Sequence, residues 1–367
     1  MTNPPVDVQQ LGQSIWYDNI RRKLLEDGTF QKLIDDDGVL GVTSNPSIFQ
    51  KAIGDSDDYD GVISTVMERS TQEIYEHLAI ADIQTATDMF MPVHERTNGI
   101  DGYVSLEVSP TLAHDTEKTM DEAKRLFSTV NRPNTMIKIP ATPAGIPAIE
   151  EVIASGINVN VTLIFSVENY VAVAEAYIKG LERRLHAGQD VSKISSVASF
   201  FLSRIDATVD KMIAEKGGDS ALVGKAAIAS AKLAYQKFQE LFYGERFAKL
   251  RAAGAKVQRP LWASTSTKNP DFPDTLYVDT LLGKDTVNTL PPNTLVAFKD
   301  HGTAQTSTIL DDIDGAKKTF EKLADLGIDM AQVTQKLQDD GVVSFMDAFD
   351  ELLMQIDAKR AILQAGD

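Results

Sequence analysis

Residues 135–165 read TMIKIPATPAGIPAIEEVIASGINVNVTLIF, and three pieces of this stretch decide the fold. Thr135-Met136-Ile137-Lys138-Ile139 is a short, mostly apolar run with β-branched residues, which reads as a buried strand. Pro143 and Gly145 then punctuate the chain, and Gly145–Ser155 carries helical spacing. Asn158–Phe165 alternates polar and apolar residues with a period of two. A strand, a helix and a second strand imply a βα repeat and a parallel sheet. Lys138 is the oddity of the first strand, an ammonium between two β-branched apolar residues. Desolvation disfavours the charged form of a lysine, and a lysine that is neutral part of the time can attack a carbonyl and form a Schiff base. The competing reading is a rim lysine whose stem packs while its head reaches water.

The same pattern recurs along the chain. The strand candidates are Ser14–Asp18, Val39–Thr43, Tyr103–Val108, Thr135–Ile139, Asn158–Phe165, Ser195–Phe200, Pro260–Ser264 and Thr286–Leu290. Between them, Ile20–Asp27, Thr71–Arg96, Asp115–Thr129, Gly145–Ser155, Val167–His186, Ile205–Ala214 and Ser220–Leu250 have helical spacing. Eight strands alternating with helices fit an α/β fold of the closed (β/α)8 TIM-barrel type. Ile313–Leu326, Met330–Asp339 and Val342–Gln364 read as additional helices, the last packed on the barrel, so residues 1–367 are expected to form one domain. An open doubly wound sheet is the rival architecture, and its GxGxxG fingerprint is absent. Ser166 and Ser203 are the expected caps of the helices that follow them, and Gly54–Asp60 reads as a solvated loop or helix start.

The chain has 367 residues, 43% of them hydrophobic, with 36 basic and 53 acidic side chains and a formal charge of -17. That charge disfavours nucleic acid and anionic membranes as partners, but leaves room for a local basic pocket. No cysteine is present, which excludes disulfides, thiolate nucleophiles and thiolate-ligated metal, and points to a reducing compartment. The first residues, Met1 to Asp7, have no basic region or apolar run of a secretory signal, and no apolar stretch has the ~20 residues of a membrane span. A cytoplasmic setting is expected. GxSxG, P-loop and HExxH motifs are all missing, and the five histidines have no ligand-like spacing, so neither a metal nor a cofactor is expected. His301, beside Asp300 and Gly302, reads as a loop residue.

Barrel active sites gather at the C-terminal ends of several strands, and polar residues collect at those ends here. Asp18 closes strand one, strand two runs into Thr43-Ser44-Asn45, strand three carries Glu107 between Leu106 and Val108, and Lys138 lies in strand four. Asn158, Asn160 and Thr162 share one face of strand five, where a purely apolar interior would prefer Val, Ile or Leu. They either serve a ligand or satisfy one another. Asp18 and Glu107 are carboxylates in apolar contexts, read as salt-bridged structural acids or as acid/base partners of Lys138. Ser199 and Arg204, around the start of a helix, suggest a phosphate clamp.

These segments carry a family likeness. GVTSNP (41–46), VSLEV (104–108), MIKIPAT (136–142), INVNVTLIFS (157–166) and SFFLSR (199–204) resemble those of the transaldolases, Schiff-base class I aldolase-type barrels of the pentose phosphate pathway. The resemblance implies Lys138 as the Schiff-base lysine and Asp18 as the acid/base at the bond that breaks. It implies that Glu107 shuttles protons through a water positioned with Thr162. Asn45 and Asn160 would hold the hydroxyls of a dihydroxyacetone unit, and Ser199 and Arg204 would bind phosphate. The implied partners are sugar phosphates. Many relatives have a second phosphate-binding arginine after strand seven, where this chain has Lys268, a point charge without the bidentate fork. The part beyond about residue 300 adds little to the match. Transfer from sedoheptulose 7-phosphate to D-glyceraldehyde 3-phosphate is the implied reaction; a fructose 6-phosphate aldolase and a non-catalytic sugar-phosphate-binding barrel are the alternatives. Either a monomer or a homodimer fits the sequence.

Overall fold

All eight expected strands form: β1 (Gln13–Tyr17), β2 (Gly41–Val42), β3 (Tyr103–Glu107), β4 (Thr135–Pro140), β5 (Val159–Ile164), β6 (Ser196–Phe201), β7 (Arg259–Ala263) and β8 (Thr286–Leu290). In the computed structural model, which describes residues 3–304 and 306–366, they pair in parallel and in chain order into a closed barrel. The seam is β1 on β8, from Gln13 opposite Thr286 to Tyr17 opposite Leu290. The open-sheet rival is thereby excluded. With the period of two, Ile137 and Ile139 face the helical shell while Lys138 faces the interior.

The shell helices begin and end where local chemistry dictates. Thr71–Arg96 starts at a full capping box between Ser70 and Glu73. Val167–His186 is capped by Ser166, whose Oγ accepts from the Asn169 amide at 3.0 Å. Ser203 does not cap; it is the first residue of the helix Ser203–Glu215, and its hydroxyl bonds Ser264 at 2.8 Å. The expected helix 220–250 is three pieces, Ser220–Leu222, Ala226–Phe242 and Glu245–Ala252. The acidic segment at 54–60 lies between a π-helical turn, Gln50–Gly54, and a short helix, Asp60–Ile63. His301 is not in a loop: it ends the helix Pro292–His301 and faces Asp274 and Asp300.

The floor of the barrel is sealed by buried charge. Arg259 meets Asp101 at 2.7 Å, and Asp101 also accepts from Ser14 Oγ at 2.7 Å and Trp16 Nε1 at 2.9 Å. A Cβ on Gly41 would lie 2.6 Å from the Trp16 indole, so only glycine lets β2 pass this ring. The saturated Arg259–Asp101 pair at this end reads as stability, which leaves the opposite end for chemistry.

At that end β5 is irregular. Its register on β6 shifts between Val161 and Ile164, and Leu163 sits at φ 59°, a conformation rare for a branched side chain. The Leu163 carbonyl is taken up by Gln338 Nε2 at 3.0 Å, which also reaches the Ala141 carbonyl at 3.0 Å. Gln338 belongs to a helix that runs without interruption from Met330 to Gly366, so the expected break before Val342 does not occur. Gly341 stays helical because the helix passes close to the barrel there: a Cβ would meet Leu163 Cδ2 at 3.0 Å. Further on, Gln355 pairs with Gln50 and Lys359 with Asp60. At ~1.5 Å per residue the helix reaches right across the mouth of the barrel.

Gln338→Leu keeps the bulk but strands the Leu163 carbonyl, while the Ala141 carbonyl keeps its bond from Asn169 Nδ2 at 2.9 Å. It is expected to cost about 1–3 kcal/mol in urea unfolding, and wild-type stability would show that the Gln338 bonds do not hold the bulge.

Candidate active site

Register places the central groups. Glu107 lies opposite Lys138 across the β3–β4 pairing, and Lys138 lies opposite Asn160 across β4–β5, so all three point into the barrel side by side. The Lys138 side chain is 5% exposed; its Nζ donates to the Ser44 carbonyl at 3.1 Å and stands 3.5 Å from Glu107 Oε2. Ser44 is fixed in turn by its hydroxyl bond to the Ser105 carbonyl at 2.6 Å. The Phe345 ring of the C-terminal helix lies 5.8 Å from Nζ, a cation–π contact on the side facing solvent. The rim-lysine reading therefore fails, because the head of Lys138 is buried with its stem.

Two carboxylates respond to that ammonium. Burial pushes Glu107 up to about 7, against the downward pull of Lys138. Its Oε2 makes no hydrogen bond to protein, and neither does Oγ1 of the fully buried Thr162. Burial also raises Asp18 above the usual carboxylate range, while the Lys138 charge and a 2.6 Å hydrogen bond from Thr43 act the other way. Thr43 is itself held to Thr289 at 2.7 Å, which fixes the orientation of Asp18.

The strand-five asparagines divide. Asn158 is satisfied locally, donating to the Pro133 and Thr135 carbonyls and accepting from the Ser195 amide. Asn160 gives one N–H to Ser105 Oγ at 3.0 Å and accepts from Ser199 Oγ at 2.7 Å, which leaves it one donor. Ser199 thus sits inside β6 and not at a helix start, and its only proton is committed to Asn160. It lines the same cavity as Arg204. Asn45 caps the short helix Pro46–Phe49 through Oδ1, leaving its amide N–H groups unengaged.

Above these groups opens a cavity of about 550 Å³. Asp18, Asn45, Lys138 and Ser199 line it together with Arg21, Lys51, Arg204, Ser266, Lys268 and Phe345. The mouth is therefore basic in a chain of charge -17. Arg21 is neutralised by Asp58, whereas Arg204 and Lys268 have no ion pair among the described residues. Arg204 stacks 5.6 Å from the Phe201 ring, and burial lowers its pKa. Sequence reasoning missed Ser266, Lys51 and above all Phe345; the last lies in the region that had seemed to add little. Only its helical spacing from Gln338 and Phe349 signals a shared face. Among the described residues no cluster of His, Cys, Asp and Glu could hold a metal, and no helix is long and apolar enough to cross a membrane.

Known proteins share this framework. A sequence model of the transaldolase/fructose-6-phosphate aldolase family matches residues 15–356. A transaldolase of Trichodesmium erythraeum is 47% identical over 373 residues, covering 98% of both chains. Transaldolases of Thiobacillus denitrificans and Mycolicibacterium smegmatis are each 48% identical, covering 95% and 97% of this chain and 98% and 96% of their own.

The raised Glu107 pKa fixes the sign of a linkage. The folded protein retains this proton up to about 7, above the ordinary carboxylate value, so the Glu107 contribution favours folding at acid pH and is lost as pH rises through about 7. Glutamine mimics the protonated form. The thermal midpoint of Glu107→Gln should therefore move upward relative to wild type between about pH 5 and pH 8; parallel curves would contradict the shift.

Proposed function

The chain belongs to the transaldolase/fructose-6-phosphate aldolase family, and on that premise we propose that it is a transaldolase working through a Schiff base on Lys138. It transfers a dihydroxyacetone unit from sedoheptulose 7-phosphate to D-glyceraldehyde 3-phosphate, giving D-erythrose 4-phosphate and D-fructose 6-phosphate. The observation that carries this reading is the Lys138 ammonium, buried beside Glu107 at the bottom of a basic cavity.

Each neighbour then has a task. The Lys138 amine adds to the ketose carbonyl, and Glu107 delivers a proton to the departing hydroxyl as the carbinolamine becomes an iminium ion. The water released is held between Glu107 Oε2 and Thr162 Oγ1, two buried oxygens that make no hydrogen bond to the protein. Asp18 takes the proton of the C4 hydroxyl, the C3–C4 bond breaks, and its electron pair flows into the iminium to leave an enamine. The aldose phosphate departs, an acceptor aldehyde takes its place, and the steps run in reverse. The remaining donors of Asn45 and Asn160 hold the hydroxyls of the three-carbon fragment. Arg204 and Lys268 bind the phosphate, with the Ser266 hydroxyl beside them. Ser199 acts through Asn160, fixing which way its amide points.

Transfer is favoured over release of free dihydroxyacetone by the helix Met330–Gly366, which lays Phe345 across the mouth and limits the water that can reach the enamine. The working unit is one domain spanning the chain, and a cysteine-free acidic protein suits the cytoplasm.

Lys138→Ala should fold normally, give no borohydride-trapped adduct with fructose 6-phosphate and lose transfer; substantial residual turnover would refute the Schiff base. Product analysis tests transfer itself, since dihydroxyacetone as the main product with little fructose 6-phosphate formed would mark an aldolase. Lys268→Ala should raise KM for phosphorylated substrates roughly tenfold, the loss of one charge-assisted contact; an unchanged KM would remove Lys268 from the phosphate site.

A further inference from the structure

A second, narrower cavity lies behind Glu107 and shares one lining residue, Asn45, with the mouth described above. Its buried end is formed by Ser44, Glu107 and Leu106, and its walls by Phe49, Tyr75, Ala79, Ile80, Leu126 and Phe349. At the other end stand Gln72, Glu76 and Glu122, all on the helices Thr71–Arg96 and Thr116–Val130. Gln72 is exposed, and the Glu76 and Glu122 side chains are 22% and 16% exposed, so this end reaches solvent. About 20 Å³ of the cavity is open to the centre of a water-sized sphere, enough for a water molecule. An apolar void of this size would stay dry, but Glu107, whose side chain is 6% exposed, lines this one, and its Oε2 has only the Lys138 ammonium, 3.5 Å away, for company. Glu107 does not line the sugar cavity, whereas Lys138 and Asp18 do.

We infer that water and its protons reach Glu107 through this rear cavity, between the two shell helices, and not through the sugar-binding mouth. The inference rests on the role given to Glu107 above. It addresses a conflict in that chemistry. Forming the iminium expels one water and hydrolysing it consumes one, yet the enamine formed between these steps must be kept from water. With two compartments both needs are met. In the hydrolytic step the water oxygen bonds to the iminium carbon, its proton passes to the Glu107 carboxylate, and collapse of the carbinolamine restores the ketone and frees the Lys138 amine. The rear cavity supplies that single water while the sugar and Phe345 occupy the front. The mostly apolar walls limit the traffic to one molecule at a time. Glu76 and Glu122 are both engaged by Arg125, at 2.8 and 2.9 Å, so the outer end carries a fixed ion-pair cluster beside the exposed Gln72.

The test is exchange of the carbonyl oxygen of fructose 6-phosphate with oxygen-18 water, which reports iminium formation and hydrolysis without an acceptor aldehyde. Ile80 is only partly buried and lines the cavity, so it can be changed in both directions. Ile80→Phe, which narrows the route, should slow oxygen exchange and turnover together by roughly tenfold. The equilibrium amount of borohydride-trapped adduct and the KM for fructose 6-phosphate should stay at their wild-type values. Ile80→Ala, which widens it, should exchange at least as fast as wild type. General damage to packing would slow both variants, so equal slowing of the two overturns the route, as does wild-type exchange in Ile80→Phe. Glu107→Gln separates the two levels of the argument. If it slows exchange while Ile80→Phe does not, the rear route fails and the Glu107 role stands. If it exchanges at the wild-type rate, the Glu107 role fails and the route falls with it.

Discussion

The upper half of the molecule is arranged around one contact, the 3.5 Å approach of the Lys138 ammonium to the Glu107 carboxylate. Both side chains are almost dry, and taking such charges out of water costs several kcal/mol each before any attraction is counted. Neither group is satisfied as a structural ion pair would be. Lys138 has a single carbonyl besides the carboxylate, and Glu107 has an oxygen with no hydrogen bond at all. By contrast, the Arg259–Asp101 pair at the floor is saturated with partners from Ser14, Trp16 and the Ile100 carbonyl. Two buried ion pairs at opposite ends of one barrel thus differ in what surrounds them. The complete one is closed by its partners, and the incomplete one borders the cavity.

That difference also governs charge on a larger scale. The chain as a whole repels anions, yet the cavity above Lys138 concentrates cations, three of which, Lys51, Arg204 and Lys268, lack a carboxylate partner among the described residues. A low-dielectric cavity focuses such a local field, so a phosphorylated ligand meets attraction only where it can be used. The acidic exterior then acts as selection by position and not as a barrier.

The elements legible in the sequence were those specified by short-range chemistry. Ile137 and Ile139 around Lys138 read as a strand because period two sends them to the shell, and Thr71–Arg96 was bounded correctly because Ser70 and Glu73 form its cap. Polar residues at successive strand ends marked the site because closure of the barrel brings those ends together. What the sequence hid was long-range contact. Gly341 looks like a helix break until Leu163 is placed against it, and the bond from Ser199 to Asn160 joins strands whose pairing the sequence does not display. Asn158 and Asn160 are identical in local pattern; only their neighbours reveal that one is structural and the other retains a free donor. Phe345 had only helical spacing as a signal, and a phenylalanine on an amphipathic helix ordinarily packs in the core.

The helix from Met330 to Gly366 follows every barrel strand in the chain, and it alone supplies Phe345 and the Gln338 bonds over β4 and β5. Chains fold from the N-terminal end as they are made. During synthesis, then, the barrel can close around Lys138 while its mouth is still bare, and the bulge at Leu163 waits for a donor that has not yet emerged. Competence arrives with the last segment. A nascent barrel that already holds its lysine lacks its roof, so a half-made chain has no sheltered place in which to keep a reactive intermediate.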